Sequence, residues 1–211
     1  MRLAVFGATG GTGRAAIAQA LEAGDKVTAL ARDPGALAEF GDRITVVGGD
    51  VLDPDAVGRV VAGSEAVVSA LGIGMHRHAT TVYSQGTGNI LDAMRAEGTR
   101  RLLVVSTSSL EIPPPKHVAE WFLARFLLHR ILAKPYADMA EMERRVRASD
   151  VDWTLVRAAR LTNGPVTGRY RTARNGKLRG CWSISRADVA HHLLAHVGDA
   201  STFRSTVEIA Y

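Results

Sequence analysis

The sequence has a single cysteine, Cys181, in 211 residues, so no disulfide can form within the chain. It also has no run of about 18 apolar residues without charge, and no leader of the secretory type precedes the first strand. These absences predict a cytoplasmic protein in a reducing compartment, with no membrane span. Since no activating partner of Cys181 is evident, we interpret it as an inert thiol.

Acidic residues are missing from one long stretch, residues 153–187, which contains eight lysines and arginines. The whole chain carries a net charge of +5, so the remainder is net negative. Such a segment can attract a polyanionic cofactor or an acidic substrate, or form a solvated basic hairpin. We expect a small-molecule substrate and no nucleic acid, because the interleaved aromatics are limited to Tyr170 and Trp182 and no recognition motif is present.

Glycine, by contrast, is concentrated in a turn between a strand and a helix. Gly7, Gly10 and Gly13 follow the apolar strand 3–6 and precede an alanine-rich helical pattern. Glycines there permit a tight turn and let phosphates approach the N–H groups at the helix start. A second strand, 26–31, follows about 20 residues later, which favours a dinucleotide site over a turn without a ligand.

Strands and helices alternate along the rest of the chain. Strands are predicted at 44–47, 66–70, 102–106, 153–157 and 206–209, and helices at 55–61, 82–96, 118–133, 138–148 and 187–196. The alternation predicts a three-layer α/β/α Rossmann-type fold, a doubly wound parallel sheet in a single domain, 1–211. The site then lies at the carboxyl ends of the strands, with substrate-site elements in about 73–82, 109–137 and 158–184.

The second strand leads into Arg32 and Asp33. An arginine there favours the 2′-phosphate of NADP through a charge-assisted contact, whereas a carboxylate favours the ribose hydroxyls of NAD. Because Arg32 comes first, the sequence predicts NADP(H), with NAD(H) as the alternative cofactor. A solvated turn in which Arg32 and Asp33 contact no cofactor is the alternative to both. Arg14, just inside the first helix, either reaches a phosphate or faces solvent.

Several further motifs accompany the glycine-rich turn: 32–33, 49–51, 86–90, 106–108, 152–157 and 184–190. As a set they resemble the atypical short-chain dehydrogenases/reductases, specifically the NmrA-like NAD(P)-binding proteins and the biliverdin IXβ/flavin reductases. The motifs span nearly the whole chain. They are specific for the fold and the cofactor, but not for the substrate.

The resemblance implies where the cofactor lies. The adenine is flanked by the end of the third strand, the ribose and phosphates run along the end of the fourth, and the nicotinamide and its ribose lie near the end of the fifth and Tyr83. The implied contacts are Gly7, Thr9, Gly10, Gly11, Thr12, Gly13, Arg32, Asp50, Val51, Ala70, Leu71, Gly72, Tyr83, Ser106, Thr107 and Ala158. Ala158 stands where many family members carry proline, which implies a looser cofactor wall there.

The catalytic pair of typical short-chain dehydrogenases, Tyr-x-x-x-Lys, is missing. Tyr136 is present, but Met139 stands where related sequences carry lysine. Reductases of the biliverdin/flavin type also lack the pair and hold a flat substrate over the nicotinamide, so that proximity supplies most of the rate. We predict that Ser108 binds or protonates the substrate, with Tyr136 as the second candidate. The structural alternative for Ser108 is a serine that caps local backbone at the strand end, and for Tyr136 it is a tyrosine packed at the start of a helix.

No metal site is predicted. His192 and His196 are four residues apart on a predicted helix, but no Glu follows His192 and no third ligand is evident. The loop histidines near the mouth of the site are His76, His78 and His117.

The stretch 118–128 is too apolar for an ordinary surface helix, and we interpret it as a lid, a dimer interface or a membrane-surface helix.

Two functions from different classes stay open. The first is an NADPH-dependent oxidoreductase, monomeric or homodimeric, that transfers hydride to a planar, poorly polar acceptor such as a flavin, quinone, tetrapyrrole or enone. The second is a non-catalytic NADP(H)-sensing regulatory protein, which the NmrA-like resemblance permits. The missing Tyr-x-x-x-Lys favours the sensor, and the single compact domain favours the enzyme. Epimerase or isomerase chemistry with a tightly held cofactor is a third interpretation.

Overall fold

The structure, a computed structural model, describes residues 1–74, 80–110, 129–180 and 182–211. Several expectations from the sequence therefore lie outside the described residues. They concern His76, His78, His117, Cys181 and the apolar stretch 118–128.

Ten strands follow one another along the described chain. They are β1 Arg2–Phe6, β2 Lys26–Ala31, β3 Thr45–Gly48, β4 Ala66–Ser69, β5 Arg101–Thr107, β6 Asp152–Ala158, β7 Arg160–Thr162, β8 Arg171–Arg174, β9 Ser183–Ser185 and β10 Ser205–Ala210. Eight form one sheet in the order β3-β2-β1-β4-β5-β6-β10-β8, in which only β8 runs antiparallel to its neighbour; β7 and β9 pair separately. The predicted doubly wound, largely parallel sheet is confirmed.

Five α-helices of the described chain cover the sheet: α1 Gly11–Glu22, α2 Pro54–Val61, α3 Ser84–Glu97, α4 His129–Ala148 and α5 Arg186–Ala195. Short 3₁₀ segments lie at Pro34–Arg43, Ser108–Leu110 and Ala200–Thr202. Local chemistry sets several helix ends. Asp53 accepts a hydrogen bond from Asp55 N at the start of α2, and α3 ends at Gly98 in the left-handed conformation, φ 72°. No helix in these described ranges is long and apolar enough to cross a membrane.

Alternate residues of each strand enter opposite layers, because successive side chains of a strand point to opposite faces. Val5 packs in the layer that contains Ile17 of α1 and Leu193 of α5. Its neighbour Phe6 packs in the other layer with residues of α2, α3 and α4, among them Met142. The sheet is thus buried on both faces, and its carboxyl edge is left for a ligand.

Most predicted strands agree with the structure to within one residue at each end, but the predicted break between two helices at 134–137 is wrong. The pattern predicts separate helices at 118–133 and 138–148, whereas α4 continues from His129 through Pro135 to Ala148. Tertiary contacts hold the helix together past the proline, since buried Asp138 accepts hydrogen bonds from Tyr83 N and Ser84 N at the start of α3. The sequence does not predict the short strands β7, β8 and β9. In β8 no apolar alternation marks a strand, because the strand is polar and largely exposed.

Helix α5 contains a buried histidine beside Tyr170 and His196. His192 is 2% exposed, and neither ring nitrogen has a hydrogen-bond partner among the described residues. Burial, followed by the neighbouring His196 and His191, lowers the pKa of His192 to about 3. The folded protein therefore holds this imidazole neutral.

This histidine predicts a loss of stability in mild acid. The unfolded chain binds a proton near pH 6.5 and the folded chain only near pH 3, so stability present above pH 6.5 is lost as pH falls towards 3. At pH 5.5 the cost is about 1.4 kcal/mol relative to pH 7.5. Urea unfolding at the two pH values should show this loss in the wild type and a correspondingly smaller one in His192→Leu. Equal pH dependence of the two proteins would contradict the assignment.

Candidate dinucleotide and substrate site

The glycine-rich turn is packed backbone against backbone. Gly7 has φ 74°, and a Cβ placed on it would lie 2.2 Å from Ala70 O. A Cβ on Gly13 would lie 2.2 Å from Gly7 O, whereas one on Gly10 meets only Gly7 O, at 3.3 Å. Gly7 and Gly13 are therefore required by packing, whereas a Cβ at Gly10 would be tight against one carbonyl oxygen and would have no other neighbour within 4 Å.

The start of α1 fits an anionic group. Gly10 is its N-cap, no side chain caps the helix, and its first turn contains no acidic residue. The first N–H groups of a helix have no partner within the helix, and they carry the positive end of its dipole. This turn therefore fits the pyrophosphate of a dinucleotide.

Arg14 connects this turn to the loop after β2. Its guanidinium donates to Thr9 O at 3.1 Å and to Ala36 O at 2.6 Å, and it also pairs with Glu39. Arg14 thus holds the two segments together, and its charge is compensated by Glu39 while the side chain remains partly exposed.

The loop after β2 presents Arg32 and Asp33 on the surface. Asp33 Oδ1 accepts a hydrogen bond from Gly35 N at 3.0 Å and begins the 3₁₀ segment. Arg32 has no side-chain partner among the described residues, so its charge faces solvent at the carboxyl end of β2.

The predicted adenine contacts are arranged by α3. Asp50 Oδ1 accepts from Leu52 N at 2.9 Å, while Val51 O accepts from Asn89 Nδ2 at 2.9 Å. A Cβ on Gly86 would lie 2.8 Å from Val51 Cγ1, so α3 packs closely on this loop. Asp53, and not Asp50, caps the following helix.

Tyr83 supports the loop after β4, which contains Ala70, Leu71 and Gly72. Its hydroxyl accepts a hydrogen bond from Ile73 N at 3.3 Å. Burial raises the pKa of Tyr83. The phenol therefore stays neutral beside the predicted cofactor path.

Ser106, predicted near the nicotinamide, belongs to a buried polar network. Its hydroxyl donates to Glu143 Oε1 at 2.7 Å, and Arg157 donates to both oxygens of Glu143 at 2.9 and 2.6 Å. Although burial raises the pKa of Glu143, the hydrogen bonds from Arg157 and Ser106 outweigh it and hold that pKa below its ordinary value. The Ser106 proton is thus engaged away from a substrate.

Ser108 lies just beyond β5 and is half-buried, and its hydroxyl has no partner among the described residues. Lys177 Nζ lies 3.2 Å from Ser108 O and 3.4 Å from Glu208 Oε1. Sequence reasoning missed Lys177 because only its membership of the basic stretch marked it. An ammonium group therefore lies beside the main chain of Ser108.

The other predicted residues take up positions near the same edge. Thr107 ends β5 and pairs in register with Ala158, which is 1% exposed at the end of β6. Tyr136 is half-buried on α4, close enough to Tyr83 for an electrostatic interaction between the two side chains. Among the residues that the structure covers, no group of three or more His, Cys, Asp or Glu is placed to hold a metal ion.

Solved structures with the same fold include reductases. A short-chain dehydrogenase/reductase from Veillonella parvula in complex with NADP is 19% identical, with TM-score 0.81 over 100% of this chain and 94% of that one. ChuY, an anaerobilin reductase from Escherichia coli O157:H7, is also 19% identical, with TM-score 0.78 over 100% and 97%. At this identity the likeness concerns the fold.

Two curated relatives are more similar in sequence. An uncharacterized chloroplastic protein of Arabidopsis thaliana is 33% identical over 175 residues, which is 78% of this chain and 60% of that protein. A 3-diazoavenalumate denitrifying reductase of a Streptomyces species is 32% identical over 184 residues, 81% of this chain and 59% of that enzyme. The chain thus spans about three fifths of the length of these two relatives. The sequence profile described as NAD(P)H-binding matches residues 7–200, and the chain belongs to this NAD(P)H-binding family.

Proposed function

We propose that the protein is an NADPH-dependent oxidoreductase that reduces a planar, poorly polar acceptor such as a flavin, quinone, tetrapyrrole or enone. The observation that carries the proposal is the end of β5. There the Ser106 hydroxyl donates to Glu143, while the half-buried Ser108 hydroxyl has no partner among the described residues. One weak proton donor beside a dinucleotide turn suits a reduction that depends on proximity and orientation.

When bound, NADPH supplies the hydride. We assign its pyrophosphate to the residues from Thr9 to Gly13, its 2′-phosphate to Arg32 and its adenine to Asp50 and Val51. The remaining contacts run along the ends of β4, β5 and β6: Ala70, Leu71, Gly72, Tyr83, Ser106, Thr107 and Ala158. In this proposal residues 1–211 form one domain, and the acceptor lies among the elements at about 73–82, 109–137 and 158–184.

Ser108 is the residue we assign to the acceptor. A serine hydroxyl is a poor acid, but it can donate a hydrogen bond to the oxygen or nitrogen on which negative charge develops. Lys177 Nζ lies 3.2 Å from the carbonyl oxygen of the same residue and, through its ion pair with Glu208, connects this segment to β10. Tyr136 is the second donor within this proposal.

The reductase names of ChuY and of the Streptomyces relative support a reduction without naming this acceptor. One observation favours a cofactor sensor instead: Met139 is partly buried in the core where a catalytic lysine would otherwise serve. NADPH oxidation with a panel of flavins, quinones and carbonyls, measured beside NADPH binding, tests the proposal. Binding without reduction of any acceptor would favour the sensor.

The two kinds of glycine in the turn should separate binding from folding. Gly10→Leu should keep the fold and abolish NADPH binding, because its side chain occupies the open space beside the turn. Gly13→Ala, the matched packing control, should destabilise the protein by about 1–3 kcal/mol or more, because its Cβ meets backbone. Thermal unfolding and NADPH fluorescence titration measure both effects. An unchanged titration of Gly10→Leu would refute the placement.

Arg32 should select NADP over NAD. Loss of a charge-assisted contact to the 2′-phosphate costs about 1.5–3 kcal/mol, so Arg32→Ala should weaken NADPH binding more than about ten-fold. NADH lacks that phosphate and should be little affected, which makes it the internal control. An equal loss for the two cofactors would show that Arg32 does not contact the 2′-phosphate.

Ser108 and Tyr136 can be ranked by single-turnover hydride transfer from bound NADPH. A positioned acid contributes about 10²–10⁴-fold, and we expect Ser108→Ala to lose more than Tyr136→Phe, with neither removing the whole rate enhancement. Ser201→Ala, which removes an exposed hydroxyl just before the start of β10 and outside the assigned site, is the control and should stay near the wild-type rate. Complete loss in Tyr136→Phe with NADPH still bound would identify Tyr136 as the acid and overturn this ranking.

A further inference from the structure

Arg186, the first residue of α5, lies against the start of α1. A Cβ placed on Gly11 would be 2.6 Å from Arg186 Cδ and 3.2 Å from Arg186 Nε. Gly11 is the first residue of α1 and follows its N-cap, Gly10. The arginine side chain therefore occupies the space beside the helix N-terminus, on the turn that fits a pyrophosphate.

The electrostatics of this contact are unfavourable without an anion. A helix N-terminus carries about half a positive charge, and cations placed there destabilise the helix. The first turn of α1 has no acidic residue to compensate it. Arg186 donates to Asn163 Oδ1 at 2.7 Å, a neutral oxygen, and within the described ranges no carboxylate lies at ion-pair distance from it. Two positive groups thus face one another.

Hydrogen bonds fix the backbone of Arg186 relative to α1. Ser185 caps α5 by accepting from Asp188 N at 2.9 Å, and Gln19 Nε2 of α1 donates to Ala187 O at 3.0 Å. The residues on either side of Arg186 are therefore both anchored, one to its own helix and one to α1. A side chain held in this way needs little reorganisation to meet a ligand.

We propose that Arg186 is a further ligand of the dinucleotide diphosphate, which it binds together with the backbone N–H groups at the start of α1. The proposal rests on the assigned cofactor site. A diphosphate placed between the guanidinium and the helix N-terminus compensates both positive groups, and arginine is suited to bidentate contact with phosphate oxygens. This contact is distinct from that of Arg32, because the diphosphate is common to NADP and NAD.

The test compares the wild type, Arg186→Ala and Arg59→Ala by calorimetric titration with NADPH, NADH and 2′-AMP, which has no 5′-phosphate. Arg59 is an exposed arginine of α2 without a side-chain partner in the described chain, and it lies outside the residues assigned to the cofactor and the acceptor, so its variant removes the same charge. Arg186→Ala should weaken NADPH and NADH equally, by about ten-fold or more, and leave 2′-AMP unchanged. Arg59→Ala should bind all three like the wild type.

Thermal unfolding without ligand supplies an independent readout. Removal of an uncompensated cation should leave the melting temperature of Arg186→Ala unchanged or raise it, whereas a purely structural arginine would lower it. Three results for Arg186→Ala would each overturn the proposal. One is a lowered melting temperature together with weakened 2′-AMP binding. The others are a loss of affinity for NADPH alone and unchanged affinity for both dinucleotides. A wild type that binds neither dinucleotide would overturn it too. A wild type that binds NADPH and reduces no acceptor would count against the enzyme alone and leave this inference standing.

Discussion

The close backbone contact between the glycine-rich turn and the end of β4 is the constraint on which the site depends. Because Gly7 approaches Ala70 O and Gly13 approaches Gly7 O, α1 must begin directly above the junction of β1 and β4. That junction is where the sheet order changes direction, since β2 and β3 lie on one side of β1 and the later strands on the other. The same contact leaves the space beside Gly10 open for a ligand.

The carboxylates of α4 serve the architecture around this opening. Asp138 accepts from the backbone at the start of α3, and Glu143 joins Ser106 of β5 to Arg157 of β6. A buried charge of this kind is tolerated because it is paired and hydrogen-bonded. These two carboxylates of α4 therefore hold the carboxyl ends of the strands in position, and we assign proton donation to the hydroxyls, first Ser108 and second Tyr136.

The basic stretch 153–187 has two different uses. Arg171 and Arg174 donate to main-chain oxygens, those of Tyr211 and Ser201 among them, and hold the antiparallel edge of the sheet. Lys177 instead contacts Ser108, just beyond the carboxyl end of β5, and Arg186 lies against the start of α1. The absence of acidic residues in the stretch keeps the potential positive where a polyanionic cofactor would bind.

The sequence by itself determined seven of the eight strands of the main sheet, because local periodicity and glycines that only one backbone geometry accommodates encode them. The family followed from a resemblance carried by motifs spread along the chain. The sequence also placed β2 at its observed bounds. Only the tertiary structure decided that Ser106 gives its proton to Glu143, that α4 continues through Pro135, and that Arg186 lies on Gly11. These contacts depend on how whole helices and strands pack against one another, and no local sequence pattern encodes that packing.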